Sequence, residues 1–478
     1  MCSAARSCIL TNKIAWTWVN DELRIPGISA ASADATVVPT WSRALVKAII
    51  NNPIECWTEE HFREPVVVGG FPFARVVVLC DPAAIRKVLV ETPSAYPKNI
   101  LERRILSARL REGLTGADGE RWASQRRALA PLFGRKPVLQ LAPAMAEAAV
   151  ELVDRWRHRR SGETLDIKIE MDALALDVLT RSIFHAGLGG DPQTVHAAMV
   201  GFFAVAGRID LFDLLGLPDA VPRITQWRMR DVLRTFEQAL DDAIAQGRRD
   251  RRPADAARDL LDTLLAAKDP ETGRGMSDAE VKANVLTFFF AGQESTATAL
   301  TWAIYLLSQS PGWSARVQAE AERELTSPFD GAADRLPQTR AVIDEAMRLY
   351  PPFAGVTRTA SRSDELAGRM IARGTMIVIS PYVLHRHRML WDAPDRFDPG
   401  RFLDGAPRTV DRYAYLPFGV GPRMCIGAGF ALQEATIVLA TIMKHFTPAL
   451  APDQTVWPLQ RFTLRPRDPL MMTMTPRA

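Results

Sequence analysis

Hydrophobic residues recur at helical spacing along most of the chain, whereas alternating, strand-like patterns are confined to a few short segments. The spacing predicts a long helix over residues 277–310, because Ser277 and Glu280 form a capping box, the apolar pattern then runs unbroken, and Pro311-Gly312 ends it. A second helix, apolar around most of its circumference, is predicted from Gly427 to Phe446. We therefore expect a fold that is mainly α with small β-sheets.

The strand signals lie near the two ends of the chain. Two β-branched runs between Pro65 and Cys80, on either side of Gly69-Gly70, predict a hairpin, and the Asp81-Pro82 pair that follows predicts the start of a helix. A short strand is predicted over residues 375–379, and residues 462–474 have an extended pattern.

Composition narrows the class of protein. At 478 residues the length predicts about three domains, but no linker, repeat or low-complexity segment divides the chain. We therefore expect one domain over residues 1–478, with residues 1–45 as an N-terminal extension. The net charge of +4 is spread along the chain, which disfavours nucleic-acid binding.

The cysteines and the N-terminus bear on the cellular compartment. The five cysteines contain no C-x-x-C pair, which favours a reducing environment. The apolar N-terminal stretch is short and interrupted by Asn12 and Lys13, so that we expect no membrane anchor. Together these features predict a cytoplasmic protein.

A lone cysteine, Cys425, carries the first chemical signal. It lies in the run Phe418-Gly419-Val420-Gly421-Pro422-Arg423-Met424-Cys425-Ile426-Gly427. A cysteine must be a thiolate to bind a metal, and the N-terminus of the predicted following helix favours an anion. The glycines let the backbone approach a flat ligand without an intervening side chain. The run therefore indicates a metal-bound thiolate.

This run matches F-x-x-G-x-R-x-C-x-G at every fixed position, so the chain resembles the cytochrome P450 family of haem-thiolate monooxygenases. The resemblance implies that Cys425 is the axial ligand of the haem iron and that residues 418–427 are the haem-thiolate loop. Phe418, Gly419, Arg423 and Gly427 are its other predicted cofactor-binding residues. In the implied fold, haem lies between a long distal helix, residues 277–310, and the proximal helix that follows the cysteine loop.

The middle of the long helix supplies the second match, Ala291-Gly292-Gln293-Glu294-Ser295-Thr296. A glycine and an acid are both costly inside an apolar helix. The stretch resembles the family's A-G-x-[DE]-T segment, which implies that Ala291 and Gly292 lie at the haem. Glu294 and Ser295 would then form the acid and alcohol pair that relays protons to dioxygen. Ser295 stands where threonine is commoner, and Thr296 follows it as the third catalytic candidate.

Two further matches involve ion pairs. The E-x-x-R pair Glu345 and Arg348, followed by Pro394-Asp395-Arg396-Phe397, resembles the family's helix and P-E-R-F segment. The resemblance implies that Glu345, Arg348 and Arg396 form a buried structural triad. Trp122 and Arg126 match W-x-x-x-R and, with Arg358 and Arg423, would bind the haem propionates, since a guanidinium suits a carboxylate.

The resemblance also implies the other participants in the reaction. The cofactor would be haem b, O2 the co-substrate, and NAD(P)H the electron source through a separate ferredoxin or flavodoxin-type donor with its reductase, because the sequence contains no flavin motif or iron–sulfur cysteine cluster. Cationic residues predicted near the proximal side either attract an acidic donor or form an ordinary solvated face, and the sequence leaves both open: Arg126, Arg127, Arg135 and Lys136. We expect a monomer.

The substrate is expected to be an apolar small molecule. The predicted pocket lining consists of apolar residues: Phe353, Ala354, Val356, Phe462 and Leu464. Residues 201–215 would form a lid. Acyl chains, terpenoids, steroids and aromatic compounds all remain open. A peroxide-dependent enzyme and a non-catalytic haem-binding protein are the alternatives, and the Glu294 and Ser295 pair disfavours both.

Overall fold

A computed structural model describes most of the chain. The described residues are 18–19, 22–23, 43–71, 74–99, 102, 112–160, 162–183, eight positions between 234 and 249, 260–326, 329, 331–403 and 410–477. The predicted lid, residues 201–215, lies outside them.

Helices make up most of the described structure, so the prediction of a mainly α fold with small sheets is confirmed. The α-helices are Arg43–Asn51, Pro82–Arg86, Gly119–Leu129, Arg135–Gln140, Ala142–Arg157, Ile167–Ile183, Leu260–Ala266, Asp278–Ser308, Pro311–Glu324, Pro337–Leu349, Pro381–Leu384 and Ala428–His445.

Asp278–Ser308, the central helix, is the long helix predicted from the sequence. The Ser277 hydroxyl accepts a hydrogen bond from the Glu280 N–H, and the Glu280 carboxylate accepts one from the Ser277 N–H, which completes the predicted capping box. Most of the side chains of the helix are buried, including Phe289, Trp302 and Tyr305. A helix with buried residues around its whole circumference must run through the core, where it can position residues far from the surface.

The strands form small sheets. The largest has the order Val66–Phe71, Ala74–Leu79, Met376–Ile379, Val356–Thr359, and its second and third strands are parallel. Another has the order Phe446–Leu450, Met471–Pro476, Thr164–Asp166. Two-stranded sheets pair Pro458–Gln460 with Leu464–Pro466, Asp364–Leu366 with Arg369–Ile371, and Trp18–Val19 with Glu22–Leu23.

The first hairpin turns later than predicted. Gly69 and Gly70 lie inside the strand Val66–Phe71, where they pair with Val76 and Arg75, and the chain reverses between Phe71 and Ala74. The prediction of a turn at the glycine pair was therefore wrong. The register set by the valines is the reason, because it places Val67 opposite Val78 and buries both. The helix predicted to follow is present, with the Asp81 carboxylate accepting from the Ala84 N–H at its start.

The proximal helix, Ala428–His445, packs against the central helix and against Ala142–Arg157 and Pro311–Glu324. The helix that follows the cysteine loop and the central helix therefore belong to one packed core. Over the described part of the chain, no helix has both the length and the apolar composition needed to cross a bilayer.

Candidate active site

The cysteine loop is shaped by glycines. Gly421 has a φ of +78°, and a Cβ at this position would lie 2.2 Å from the Leu89 carbonyl oxygen. Gly421 is therefore required both by its backbone conformation and by the close approach of a neighbouring segment. Cys425 N–H donates to the Phe418 carbonyl at 2.9 Å and closes the loop. Gly427 then caps the proximal helix at its N-terminus.

The Cys425 side chain has solvent-accessible surface although protein lies around it on most sides. Burial raises the pKa of its thiol, while the Gly427 N–H, which donates to the sulfur, and the positive charge of Arg126 act in the opposite direction. The protein environment alone therefore favours the thiol, and a coordinated metal ion would deprotonate it. The sulfur would thus become anionic on binding a metal ion.

Cationic side chains gather near the loop. The Arg423 guanidinium lies over the Trp122 ring, 4.0 Å from its centroid, and donates to Asp118 Oδ1 at 2.7 Å. Arg358 is buried and donates to Glu102 Oε2 at 3.0 Å. The structure therefore brings Trp122 and Arg423 together and holds both predicted arginines by carboxylates, as expected for side chains fixed in one orientation.

Lys98 belongs to the same group and was missed in the sequence. Its main chain pairs with that of Arg358. Burial, together with the positive charges of Arg423 and Arg358, lowers the pKa of Lys98 to about 8, against the opposing effect of Glu102 and Asp118. An isolated lysine, with no spacing relation to the arginines, carries no local signal. Only the strand pairing shows the relation.

Lys98, Arg358 and Arg423, the basic cluster, fit the carboxylates of a haem. These three cations outnumber the two carboxylates beside them, Asp118 and Glu102, and a bound anion would balance the remaining positive charge. With Arg126 acting on Cys425 from nearby, the donor set combines a sulfur ligand for iron with cations for propionates. The residues present therefore fit the predicted cofactor.

Glu294 is buried in the central helix, and among the described residues neither carboxylate oxygen accepts a hydrogen bond of good geometry. Burial raises the pKa of Glu294 to about 7. The charges of Lys168 and Arg465 lower it, Asp172 raises it, and the nearby Thr463 hydroxyl favours the anion slightly. A carboxyl group with a pKa near neutrality can both give and take a proton at physiological pH.

The residues beside Glu294 differ in their surroundings. The Ser295 hydroxyl donates to the Ala291 carbonyl one turn earlier, while the Thr296 hydroxyl is buried and has no partner among the described residues. Gly292 packs against the helix Ile167–Ile183, since a Cβ there would lie 3.2 Å from Leu179 Cδ2. The small size of Gly292 therefore serves helix packing.

Two members of the predicted ion triad, Glu345 and Arg348, form a buried pair. Arg348 donates from Nε and Nη2 to Glu345 at 2.6 and 2.8 Å, and both side chains are fully buried. The Arg401 guanidinium, which the sequence analysis did not single out, also lies near Glu345, with Nε 3.7 Å from Oε1. Arg396 contributes its main-chain carbonyl, which accepts from Arg348 at 2.9 Å. The part played by the Arg396 side chain in the triad stays a prediction.

Arg401 belongs to a repeat of the sequence pattern that contains Arg396. Pro394-Asp395-Arg396-Phe397 is followed at once by Pro399-Gly400-Arg401-Phe402 with the same spacing. The first segment ends in a turn whose carbonyls of Pro394 and Arg396 face Arg348. The short helix Pro399–Phe402 brings the second arginine to the carboxylate.

The predicted pocket residues lie on two neighbouring segments. The Phe353 and Phe462 rings meet edge to face, with centroids 5.4 Å apart. The Leu464 N–H donates to the Pro352 carbonyl at 2.9 Å, which joins the segments. Ala354 is buried, its carbonyl accepts from the Ser380 hydroxyl at 2.7 Å, and Val356 begins a strand of the largest sheet.

The cations predicted for partner binding divide into two sets. Arg127 donates to Asp269 and Glu120 and is thus committed to structural ion pairs. Arg135 and Lys136 are exposed on the helix Arg135–Gln140, which packs against the proximal helix. Arg135 also pairs with the exposed Asp334, a contact of little energetic weight.

Comparison with known proteins identifies the family of the chain and several similar proteins. The family model for cytochrome P450 matches residues 57–474. Cyclooctatin synthase of Streptomyces melanosporofaciens is 34% identical over 406 residues, 84% of this chain and 86% of that protein. Cyclooctat-9-en-7-ol 5-monooxygenase of the same organism is 35% identical over 390 residues, 80% and 82% of the two chains. Pentalenene oxygenase of Streptomyces avermitilis is 33% identical over 363 residues, 74% and 77%.

Proposed function

Since the chain belongs to the cytochrome P450 family and is a haem-thiolate monooxygenase, we propose that its substrate is a cyclic terpenoid, a hydrocarbon or an alcohol. The names of two relatives carry this proposal, because one is a monooxygenase of cyclooctat-9-en-7-ol and the other an oxygenase of pentalenene. Of the substrate classes that the sequence left open, terpenoids are the one that these relatives favour.

The predicted pocket lining supports an apolar substrate. Phe353, Ala354, Val356, Phe462 and Leu464 carry no charged or hydrogen-bonding side chain. An apolar ring system held among them gains by burial, about 25 cal/mol for each Å² removed from water. The Phe353 and Phe462 pair presents ring faces and edges rather than a polar group that would select a carboxylate. This lining suits a terpenoid better than a fatty acid.

The cofactor of the proposal is haem b. Cys425 would bind its iron, and the basic cluster with Trp122 and Arg126 would hold its propionates. When bound, the haem supplies dioxygen activation and oxygen insertion, which thiolate ligation favours. The protein's own contribution is to orient the cofactor and to exclude water from the buried central helix.

Proton delivery is proposed for Glu294 and Ser295. The carboxyl group is buried, titrates near neutrality and lies in the same helical turn as the Ser295 hydroxyl. That hydroxyl donates to Ala291 and retains lone pairs that can accept a proton. A serine therefore serves in place of the commoner threonine, and the pair supports a dioxygen-dependent rather than a peroxide-dependent reaction.

Electrons are proposed to come from NAD(P)H through a ferredoxin or flavodoxin-type donor and its reductase. Exposed Arg135 and Lys136, on a helix packed against the proximal helix, would attract an acidic donor to the cysteine side. Exposed Met424, next to Cys425, adds an apolar contact. We further propose that the enzyme acts as a monomer in the cytoplasm.

The test uses the full-length haem-loaded enzyme and four compound classes: cyclic terpene hydrocarbons, cyclic terpene alcohols, fatty acids and steroids. We expect a cyclic terpenoid to give the low-spin to high-spin shift at the lowest concentration. With a ferredoxin, its reductase and NADPH, the product should gain one oxygen atom. A larger shift and faster turnover with a fatty acid or steroid would contradict the proposal. Phe462→Ala should weaken terpenoid binding roughly tenfold, about 1.4 kcal/mol, whereas Met370→Ala, on an exposed hairpin, should not.

A further inference from the structure

One face of the central helix packs against the strand Leu464–Pro466 through positions four residues apart. Trp302 Nε1 donates to the Leu464 carbonyl at 2.7 Å. One turn earlier, Thr298 Oγ1 lies 3.4 Å from Thr463 Oγ1. Because residues four apart share a helix face, this pairing aligns the strand with the helix.

The same helix face continues to Glu294, one further turn toward the N-terminus. Arg465 approaches it from the strand, with Nη1 3.9 Å from Glu294 Oε1. The Glu294 side chain is 2% exposed, whereas that of Arg465 is 28% exposed. Arg465 therefore extends from the buried carboxyl group to solvent, and the strand register fixes its position.

The other charges around Glu294 come from the helix Ile167–Ile183. Lys168 and Asp172 on this helix form an ion pair with each other, and their effects on Glu294 are opposite in sign. Among the described residues, no carboxylate other than that of Glu294 lies within ion-pair distance of Arg465. Arg465 is therefore the cation whose charge acts on Glu294 without a neighbouring acid to offset it.

We propose that Arg465 is a positioning residue for proton delivery, which lies at ion-pair distance from the Glu294 carboxyl group and through its charge sets the pH at which this group exchanges its proton with solvent. At each of the two proton deliveries in a cycle, the Glu294 acid gives one proton toward Ser295, and the resulting carboxylate takes one proton from solvent. Arg465 keeps its own proton throughout, because a guanidinium does not deprotonate in proteins. The inference rests on the proposed role of Glu294.

The test compares Arg465→Gln, which removes the charge, with Arg465→Lys, which retains it. Arg467→Gln is the matched control, since Arg467 lies two residues away and pairs with Asp468 at the surface. Arg465→Met, which keeps the alkyl stem, replaces the glutamine variant if that variant does not fold. Each variant is the full-length haem-loaded enzyme.

The first readout is the infrared band of the protonated Glu294 carboxyl group, identified by its absence in Glu294→Gln and followed from pH 5 to 9. In the unsubstituted enzyme, we expect a midpoint near the pKa of about 7. Without the Arg465 charge, the midpoint should rise by about 1 pH unit or more. It should stay unchanged in Arg465→Lys and Arg467→Gln. An unchanged or lower midpoint in Arg465→Gln would overturn the inference.

The second readout is coupling, the fraction of NADPH electrons recovered in product rather than as hydrogen peroxide, measured against pH. The inflection in this profile should move upward with the infrared midpoint in Arg465→Gln. If Glu294→Gln leaves coupling and its pH profile intact, the proposed relay itself fails. If Glu294→Gln abolishes coupling while Arg465→Gln moves neither midpoint, the relay stands and the role of Arg465 is refuted.

Discussion

Neutralising Glu345 should destabilise the protein far more than breaking an exposed ion pair with the same helical spacing would. In Glu345→Gln, the side chain keeps its shape but loses its charge. Glu345 Oε2 accepts from Arg348 Nε at 2.6 Å, and Oε1 accepts from Arg348 Nη2 and from the Asp398 N–H, each at 2.8 Å. An amide nitrogen at either oxygen position would therefore face a donor.

The cost follows from burial. Both side chains of the Glu345 and Arg348 pair have no exposed surface. Arg348 would retain its bonds to the carbonyls of His385, Pro394 and Arg396, but its charge would lose the adjacent anion. Removing one partner of a buried ion pair costs about 3–5 kcal/mol. At about 1.4 kcal/mol for each factor of ten, the unfolding equilibrium constant should rise by roughly two to four orders of magnitude.

The assay is equilibrium urea unfolding of the haem-loaded enzyme, followed by far-ultraviolet circular dichroism. Asp154→Asn is the matched control, because Asp154 and Arg157 form an acid and arginine pair with the same helical spacing, but about half exposed. That control should lose at most about 1 kcal/mol. Equal losses in the two variants, or a loss below about 1 kcal/mol in Glu345→Gln, would refute the assignment of the buried pair as a structural centre.

Three other outcomes are expected. Gly419→Ala should lower the free energy of unfolding by about 1–2 kcal/mol through left-handed backbone strain alone. Gly421→Ala should lower it by about 1–3 kcal/mol more, since its Cβ also meets Leu89. Equal urea midpoints for the two variants would contradict this. Cys425→Ala should lose the thiolate-type band of the reduced, carbon monoxide-bound spectrum, which Cys56→Ala should keep. Burial lowers the pKa of His385 to about 3. The stability that this neutral histidine contributes is therefore complete above about pH 6.5 and is lost as the pH falls toward 3. In unfolding titrations, His385→Gln should reduce this loss at acid pH, whereas the exposed control His158→Gln should not.

The features that the sequence predicted well have local causes. The central helix begins at a capping box and ends before a proline, so its bounds depend on residues within one turn of each end. The cysteine loop is equally local, since Gly421, Cys425 and Gly427 lie within a few residues of one another. Their spacing alone indicated a metal-bound thiolate.

The prediction that was wrong, and the residues that were missed, depend on which segments of the chain pair with each other. The hairpin turn follows from valine register rather than from the glycine pair at Gly69 and Gly70. Arg401 was missed because it lies in the second of two similar Pro-x-Arg-Phe segments, and only the short helix Pro399–Phe402 brings it near Glu345. Lys98 joins the basic cluster only because its main chain pairs with that of Arg358.

Glu294 shows how contacts between distant segments affect the chemistry of a side chain. The motif that contains Glu294 identifies an acid but leaves open whether its proton is available at neutral pH, because an isolated buried carboxyl group would stay protonated. The opposing charge of Arg465 comes from a strand that contacts the central helix across a sequence separation of 162 residues at Trp302 and Leu464. In the proposed relay, the helix supplies the proton-carrying group, and Arg465 of the strand, together with Lys168, lowers its pKa toward neutrality. A change in the hairpin Pro458–Pro466 that shifted its register would alter proton delivery while leaving every residue of the helix motif intact.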